Sequence, residues 1–203
     1  GIAARYNARM PKAAIVYFSG QGHTHLMADA LAEGFGKAGV DVFRHRVDGA
    51  DIKEGRWNDP GGVVDGIKSA DAVIFGTPTY MGGVAAQLKA VIDAMGGLWF
   101  EQALAGKLAG GFTHSSSPCG EKTATMQYLM VHAAQHGMLW VSNNFLSDRY
   151  TGQSNDINFW GSFVGVFGQA DIDMSENPTI ELHSHEVNNL HAYAKRFAER
   201  LGA

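Results

Sequence analysis

Ala13-Ala14-Ile15-Val16-Tyr17-Phe18-Ser19-Gly20-Gln21-Gly22-His23-Thr24 is almost wholly apolar for six residues, then turns polar and glycine-bearing. A short, nearly continuous apolar run fits a strand buried on both faces, as in a parallel sheet. From Thr24 the period changes. Leu26, Met27, Ala30, Leu31, Gly34 and Phe35 recur at spacings of three and four, which predicts a helix ending near Gly39.

The same alternation continues downstream. Val40 to Val47 reads as a second strand, followed by a weak helix around Val63 to Ser69 and a third buried strand at Ala72-Val73-Ile74-Phe75-Gly76. Val84, Leu88, Val91, Ile92 and Met95 mark the next helix, closed by Gly96-Gly97. Leu108 to Thr113 is a fourth strand, weakened by Gly110 and Gly111, and Glu121 to His136 is helical with Gly137 as its C-cap. Met138 to Ser142 is a fifth strand, and Val187, Leu190, Tyr193, Ala194, Phe197 and Leu201 trace the last helix. Strands alternating with helices imply right-handed βαβ crossovers, a parallel sheet and a three-layer αβα sandwich.

Residues 12–203 read as one domain and 1–11 as a tail, with Met10 the expected natural start and 1–9 a cloning remnant or frayed end. Asn143 to Pro178 is long for a structureless loop. Within it, Phe163-Val164-Gly165-Val166-Phe167 is expected to extend the fifth strand.

Composition narrows the class. The chain has 203 residues, 45% of them apolar, with 16 Lys and Arg against 20 Asp and Glu, a net charge of −4. That length and apolar content suit a large folded core and oppose disorder. One cysteine excludes an internal disulfide framework and a Cys-rich zinc module. No basic block marks a nucleic-acid partner, and no apolar run is long enough to span a bilayer. A cytoplasmic protein is expected. Glycine numbers 26, roughly twice the usual share, and its placement carries the function.

Parallel sheets bind ligands at the C-terminal ends of their strands. Three loops there are unusual. Ser19-Gly20-Gln21-Gly22-His23-Thr24 opens a helix, where amides and hydroxyls can wrap an anion, and no Lys or Arg occurs from Ser19 to Ala30. The Gly-Lys-Ser/Thr ending of a P-loop is absent. Gly20 and Gly22 match the start of a dinucleotide fingerprint, but His25 takes its third glycine position; Asp48 keeps that alternative open as a ribose-binding acid. Gly76-Thr77-Pro78-Thr79-Tyr80-Met81-Gly82-Gly83 combines a stiff Pro with glycines that admit a flat ligand. Ser115-Ser116-Ser117-Pro118-Cys119-Gly120 adds neutral donors. Together they suit a ligand with one phosphate, a polar chain and a polarisable ring. A receiver domain would need acidic strand ends, and a serine hydrolase a G-x-S-x-G elbow; neither is present. His183-Ser184-His185-Glu186 resembles a metal cluster, but reads as a solvated helix cap with its histidines pointing apart, so no metal site is expected.

These residues resemble the flavodoxin-like superfamily and, within it, the WrbA-type (tryptophan-repressor-binding-protein-like) NAD(P)H:quinone oxidoreductases. The matching stretches are Ile15 to Ser19 with Gly22-His23, Ile74 to Thr79, Gly96-Gly97-Leu98-Trp99, Gly106-Lys107-Leu108-Ala109 and His136-Gly137-Met138. The resemblance implies a doubly wound five-stranded parallel sheet of order 2-1-3-4-5 and an FMN cofactor. It further implies two-electron reduction of a quinone or related acceptor by NADPH or NADH, in a homodimer or homotetramer. A ping-pong cycle, with donor and acceptor using one open face in turn, follows from the lack of a second nucleotide motif. Ser19, Gln21, Gly22, His23 and Thr24 would hold the FMN phosphate. Pro78, Thr79, Tyr80, Met81, Gly82 and Gly83 would flank the ring and ribityl chain. Ser115, Ser116, Ser117, Pro118, Cys119 and Gly120 would line the other side, His136 would sit near the pyrimidine edge, and Trp99 would border the substrate pocket from a subunit interface. Gln21 stands where the family usually has Tyr, and Tyr80-Met81-Gly82-Gly83 where it has Arg-Phe-Gly-Asn. The alternatives are an electron-transfer flavodoxin, an azo, nitro or flavin reductase of the same fold, and a non-catalytic regulatory flavoprotein.

Overall fold

The computed structural model describes residues 9–152 and 157–203. Most of the expected tail therefore lies outside the described residues. In chain order come β1 (Lys12–Tyr17), α1 (His23–Lys37), β2 (Asp41–Arg46), α2 (Val63–Ser69), β3 (Ala72–Tyr80), α3 (Ala86–Ala94) and α4 (Gly96–Phe100). They are followed by β4 (Leu108–Ser115), α5 (Lys122–Gln135), β5 (Leu139–Trp140), α6 (Asp148–Thr151), β6 (Val166–Gln169) and α7 (Ser184–Leu201). The sheet runs β2-β1-β3-β4-β5 with every one of these pairs parallel, the expected doubly wound order.

Period-two alternation along the strands builds two cores. Ala14 and Val16 of β1, with Val73 and Phe75 of β3, face α2, α3 and α5. Their neighbours Ala13, Ile15, Tyr17, Ala72 and Ile74 face α1 and α7. Strands buried on both faces read as continuous apolar runs, which is why β1 and β3 are recognisable without alternation. Gly110 is not a weak point of β4. A Cβ there would lie 2.5 Å from Tyr193 Oη and 2.6 Å from Phe197 Cζ, so its bareness lets α7 press onto the sheet.

Three expectations change. Gly96-Gly97 does not close a helix but begins α4, and neither glycine has the positive φ of a left-handed cap. The stretch from Gly76 to Gly83 is mostly strand. Gly76, Thr77 and Pro78 pair with Phe112, Thr113 and His114, and Thr79-Tyr80 folds back on Gly83-Val84. Pairing with β1 ends at Tyr17 and Gly76, so Pro78 lies beyond that neighbour, where its missing N–H is tolerated. The fifth strand is split. Leu139-Trp140 pairs with the start of β4, and Val166–Gln169 pairs with Phe112 to Ser115 at its end. An extension exists but is shifted from the expected Phe163 to Phe167: it runs Val166–Gln169, with Phe163 to Gly165 in a bend before it, and 141–165 is spliced between the two halves.

Candidate functional site

β1, β3 and β4 all end at one edge, and their extensions enclose a cavity of about 410 Å³. Its walls are Ser19, Gly20, Gln21, His23 and Thr24; then Pro78, Thr79, Tyr80, Met81 and Gly82; then His114, Ser115, Ser116, Ser117 and Gly120; and Ala170, Asp171 and Ile172 after β6.

The first wall is shaped by Ser19. Its hydroxyl accepts from Gly22 N at 3.2 Å and His25 N at 3.1 Å, curling the loop onto the start of α1. Gly22 makes the turn at φ 118°, a conformation glycine allows. First-turn amides of a helix lack intrahelical acceptors, so this end of the cavity offers donors of the kind an anion uses. Arg46, at the end of β2, donates to Ser19 O at 2.9 Å and puts a cation behind the loop.

The second wall is braced from behind. Thr79 Oγ1 lies 2.8 Å from both Thr113 Oγ1 and Thr125 Oγ1, and Thr77 Oγ1 accepts from Ala85 N at 3.0 Å. These buried hydroxyls pin the hairpin while its tip stays open. Met81 at the turn is 104% exposed with φ 48°. Tyr80 Oη lies against Gly20, where a Cβ would approach it to 2.2 Å, so glycine lets the first two walls meet.

The third wall rests on Lys122. This fully buried ammonium donates to Ser115 Oγ at 2.9 Å and to Ser117 O at 2.7 Å. Burial pushes its pKa down. Gln169 Nε2 joins the third and fourth walls, donating to Ser116 O at 2.8 Å and Asp171 Oδ1 at 3.1 Å. The insert is anchored by Glu186, which is buried, pushed up in pKa by that burial, and accepts from Gln169 N, Trp160 Nε1 and His183 N.

Most expected site residues thus converge on this cavity. Gly22 and Gly83 shape its loops without lining it. Pro118 and Cys119 project outward on an exposed turn. His136 and Trp99 are not brought to it. α5 runs back from the cavity, and Gly106 N donates to Gly137 O near the start of β4, so His136 sits at the far edge of the sheet against His132. Trp99, in α4 at the end of the crossover from β3 to β4, is likewise away from the cavity walls. The His183–Glu186 motif is a helix cap, a capping box, with His183 and Ser184 exposed as expected; Glu186, however, is buried, and the rings of His183 and His185 stack at 5.0 Å instead of pointing apart. Among the described residues no group of three or more His, Cys, Asp or Glu is arranged for a metal ion, and no helix is long and apolar enough to cross a membrane.

Four contributors carry no motif. Arg46 is foreshadowed only by the adjacency of the first two strands. Lys122 opposes the dipole at a helix start, an anomaly that hints at another task. His114 shares the alternation face of Phe112 on β4, and Asp171 follows a strand half that the insert displaces.

Residues 14–152 match the family model described as NADPH-dependent FMN reductase. The chain is 35% identical over 194 residues to flavodoxin FldP of Pseudomonas aeruginosa (strain UCBPP-PA14), covering 95% of this chain and 97% of that one. It is 37% identical over 140 residues to an NAD(P)H dehydrogenase (quinone) of Geobacter sulfurreducens, covering 63% of this chain and 69% of the relative. A crystal structure of a flavodoxin, WrbA-like protein from Agrobacterium tumefaciens superimposes with a TM-score of 0.69 at 34% identity, covering 94% and 96% of the two chains.

Proposed function

The chain belongs to the NADPH-dependent FMN reductase family, in its WrbA-like flavodoxin-fold branch, and we propose that it binds FMN in this cavity and catalyses two-electron reduction of a quinone by NAD(P)H. The observation that carries this is the convergence of three donor-rich walls with no cationic side chain lining the cavity. One end seats an anion on helix amides, and the other is open beside Tyr80 and Met81. A phosphorylated chain bearing a flat ring fits that layout.

FMN supplies the hydride chemistry when bound, and the chain supplies placement and electrostatics. Ser19, Gln21, His23 and Thr24 would seat the phosphate, with Gly22 setting the turn. Pro78, Thr79, Tyr80, Met81, Gly82 and Gly83 would flank ring and ribityl chain, opposite Ser115, Ser116, Ser117 and Gly120. The Lys122 ammonium fixes the carbonyl of Ser117 from below, so the third wall keeps its shape during turnover. Tyr80 and Met81 leave one approach open for donor and acceptor in succession, which makes the cycle ping-pong. Trp99 and His136 reach such a cavity only from another subunit, in a homodimer or homotetramer. The reading places the protein in the cytoplasm.

A carrier reading is favoured by one observation: the relative named a flavodoxin matches over 97% of its own length. The deciding experiment adds FMN to purified protein and follows NADPH and NADH consumption with and without benzoquinone. The enzyme reading expects rapid, acceptor-dependent oxidation with parallel double-reciprocal lines. Intersecting lines would overturn the ping-pong cycle, and no acceptor-dependent oxidation would leave the carrier.

A further inference from the structure

His114 stands out among the residues that line the cavity. It is only 6% exposed, its Nε2 is buried without a hydrogen-bond partner, and it belongs to no recognisable motif. Its ring stacks on that of His23, the first residue of α1, with centroids 4.4 Å apart and planes 9° from parallel. Both rings line the cavity at the end where helix amides face it. A buried imidazole nitrogen without a partner is costly, and the His23 ring stacked on it carries the pair to the cavity, where a seated anion acts on both rings together.

The geometry points to a proton-linked phosphate clamp: His23 and His114 together take up one proton when a phosphomonoester seats at the start of α1, and the stacked pair, now sharing one positive charge, grips the phosphate. The inference deepens the FMN reading and rests on it for the identity of the ring, while the clamp itself requires only the phosphate.

The charged and titratable neighbours explain why the pair is neutral beforehand. His23 is pushed down by burial. His114 is pushed down to about 3, chiefly by burial, with His23, Lys122 of α5 and His183 at the start of α7 adding repulsion. The nearest carboxylates are Asp171, at the cavity rim, and Glu186, whose oxygens are taken by Trp160, Gln169 and His183. Asp171 is exposed at the rim and bonded to Gln169, and only basic groups act on the buried His114, so nothing holds an imidazolium there in the empty cavity. An incoming phosphate carries about −1.5 to −2 charges near neutrality and reverses that balance. Stacking keeps the two rings parallel and close, so a proton on either is felt by the same anion.

The sign of the pH dependence separates this clamp from a plain amide seat. Amides and hydroxyls favour the phosphate dianion, so affinity at such a seat is flat or falls as pH drops from 8 to about 6.5. With the clamp, FMN affinity rises over that interval because binding consumes a proton. Riboflavin, which lacks the phosphate, shows no such rise.

The test is calorimetric titration of the full chain with FMN and with riboflavin, in buffers of differing ionisation enthalpy. Expected is uptake of up to about one proton per FMN and none per riboflavin. H114F, which keeps the ring stack but removes its nitrogens, should abolish the uptake. It should also lower the FMN-to-riboflavin affinity ratio by roughly ten- to hundredfold, the loss expected for a charged hydrogen bond, with riboflavin affinity unchanged. H114Q, which is polar but cannot titrate, covers a folding failure of H114F and should retain FMN while losing the uptake. A second arm titrates inorganic phosphate and follows the ring protons of His23 and His114 by NMR. Should FMN fail to bind while phosphate shifts these protons, the flavin reading falls and the clamp stands. Zero uptake or proton release with FMN, an unchanged ratio in H114F, or no response of either histidine to phosphate overturns the clamp.

Discussion

Two pairs of histidines occupy opposite edges of the sheet. His23 and His114 stack at the edge where the strands end, and His132 and His136 meet edge to face at 4.8 Å near the edge where they begin. Both pairs include buried nitrogens without partners. Both are pushed down in pKa by burial, His114 to about 3 and His132 to about 4. What separates them is the surroundings. The first pair faces a cavity with helix amides at its end, and the second packs on Phe75 within the core. Burial and an unmet nitrogen thus do not mark a binding site by themselves; a cavity with converging donors does.

Acid stability offers the largest effect by which to break this comparison. His132 titrates at about 4 when folded against 6.5 ordinarily, so the unfolded chain binds protons first. Its contribution is complete above pH 6.5 and is lost as pH falls from there through about 4, a loss on the order of 3 kcal/mol. Urea unfolding at pH 7 and pH 4.5 should show a shallower acid loss for H132L than for the parent. H132L should be at least as stable at pH 7, because the nitrogen it removes has no partner. Bound FMN should relieve the acid loss that comes from His114 and leave that of His132 untouched. Equal relief at both edges would erase the distinction.

A smaller effect isolates the cavity edge. Gly20→Val would drive a side chain into Tyr80 Oη at the tip of a flexible ring. FMN affinity should fall about tenfold, roughly 1.4 kcal/mol, with the melting temperature nearly unchanged because Gly20 is exposed. Ser19→Ala removes the acceptor for two loop amides and should cost about 1 kcal/mol in denaturant unfolding, and affinity with it. At the far edge, Phe100 is 85% exposed beside Trp99. Phe100→Glu should shift the oligomeric state in sedimentation while leaving FMN affinity within about twofold; an unchanged state would remove Trp99 from any shared interface.

The two edges were also unequally legible. Apolar runs at β1 and β3 and the three- and four-residue spacing in α1 expose the layered sheet, because burial on both faces leaves nothing polar to confuse the period. The walls from Ser19 to Thr24 and from Ser115 to Ser117 are legible because the chemistry sits in consecutive residues. Lys122, Arg46 and His114 are not, since each acts from another element and only the strand order sets them behind a wall. His136 and Trp99 differ again, for one chain alone does not bring them to its own cavity. They flank glycine motifs that resemble the family, yet βα connections return the chain to the opposite edge, and one chain cannot bend them back. Tyr80 reads as loop because Gly82 and Pro78 advertise a turn, whereas the ladder of Gly76 to Pro78 with β4 and the pairing of Tyr80 with Gly83 override local propensity.

The split fifth strand carries a consequence for the order in which the molecule assembles. β5 needs only the short return from α5 to reach β4, but β6 must close the long excursion of 141–165 before Val166 finds Phe112. Closing a longer loop costs more entropy and slows pairing. Asp171 and Ile172 ride directly behind β6, so the last wall of the cavity is raised after the sheet beneath it has formed. Ability to hold a ligand should therefore emerge as a late folding phase, slower than the appearance of helix, and shortening the excursion should bring the two together.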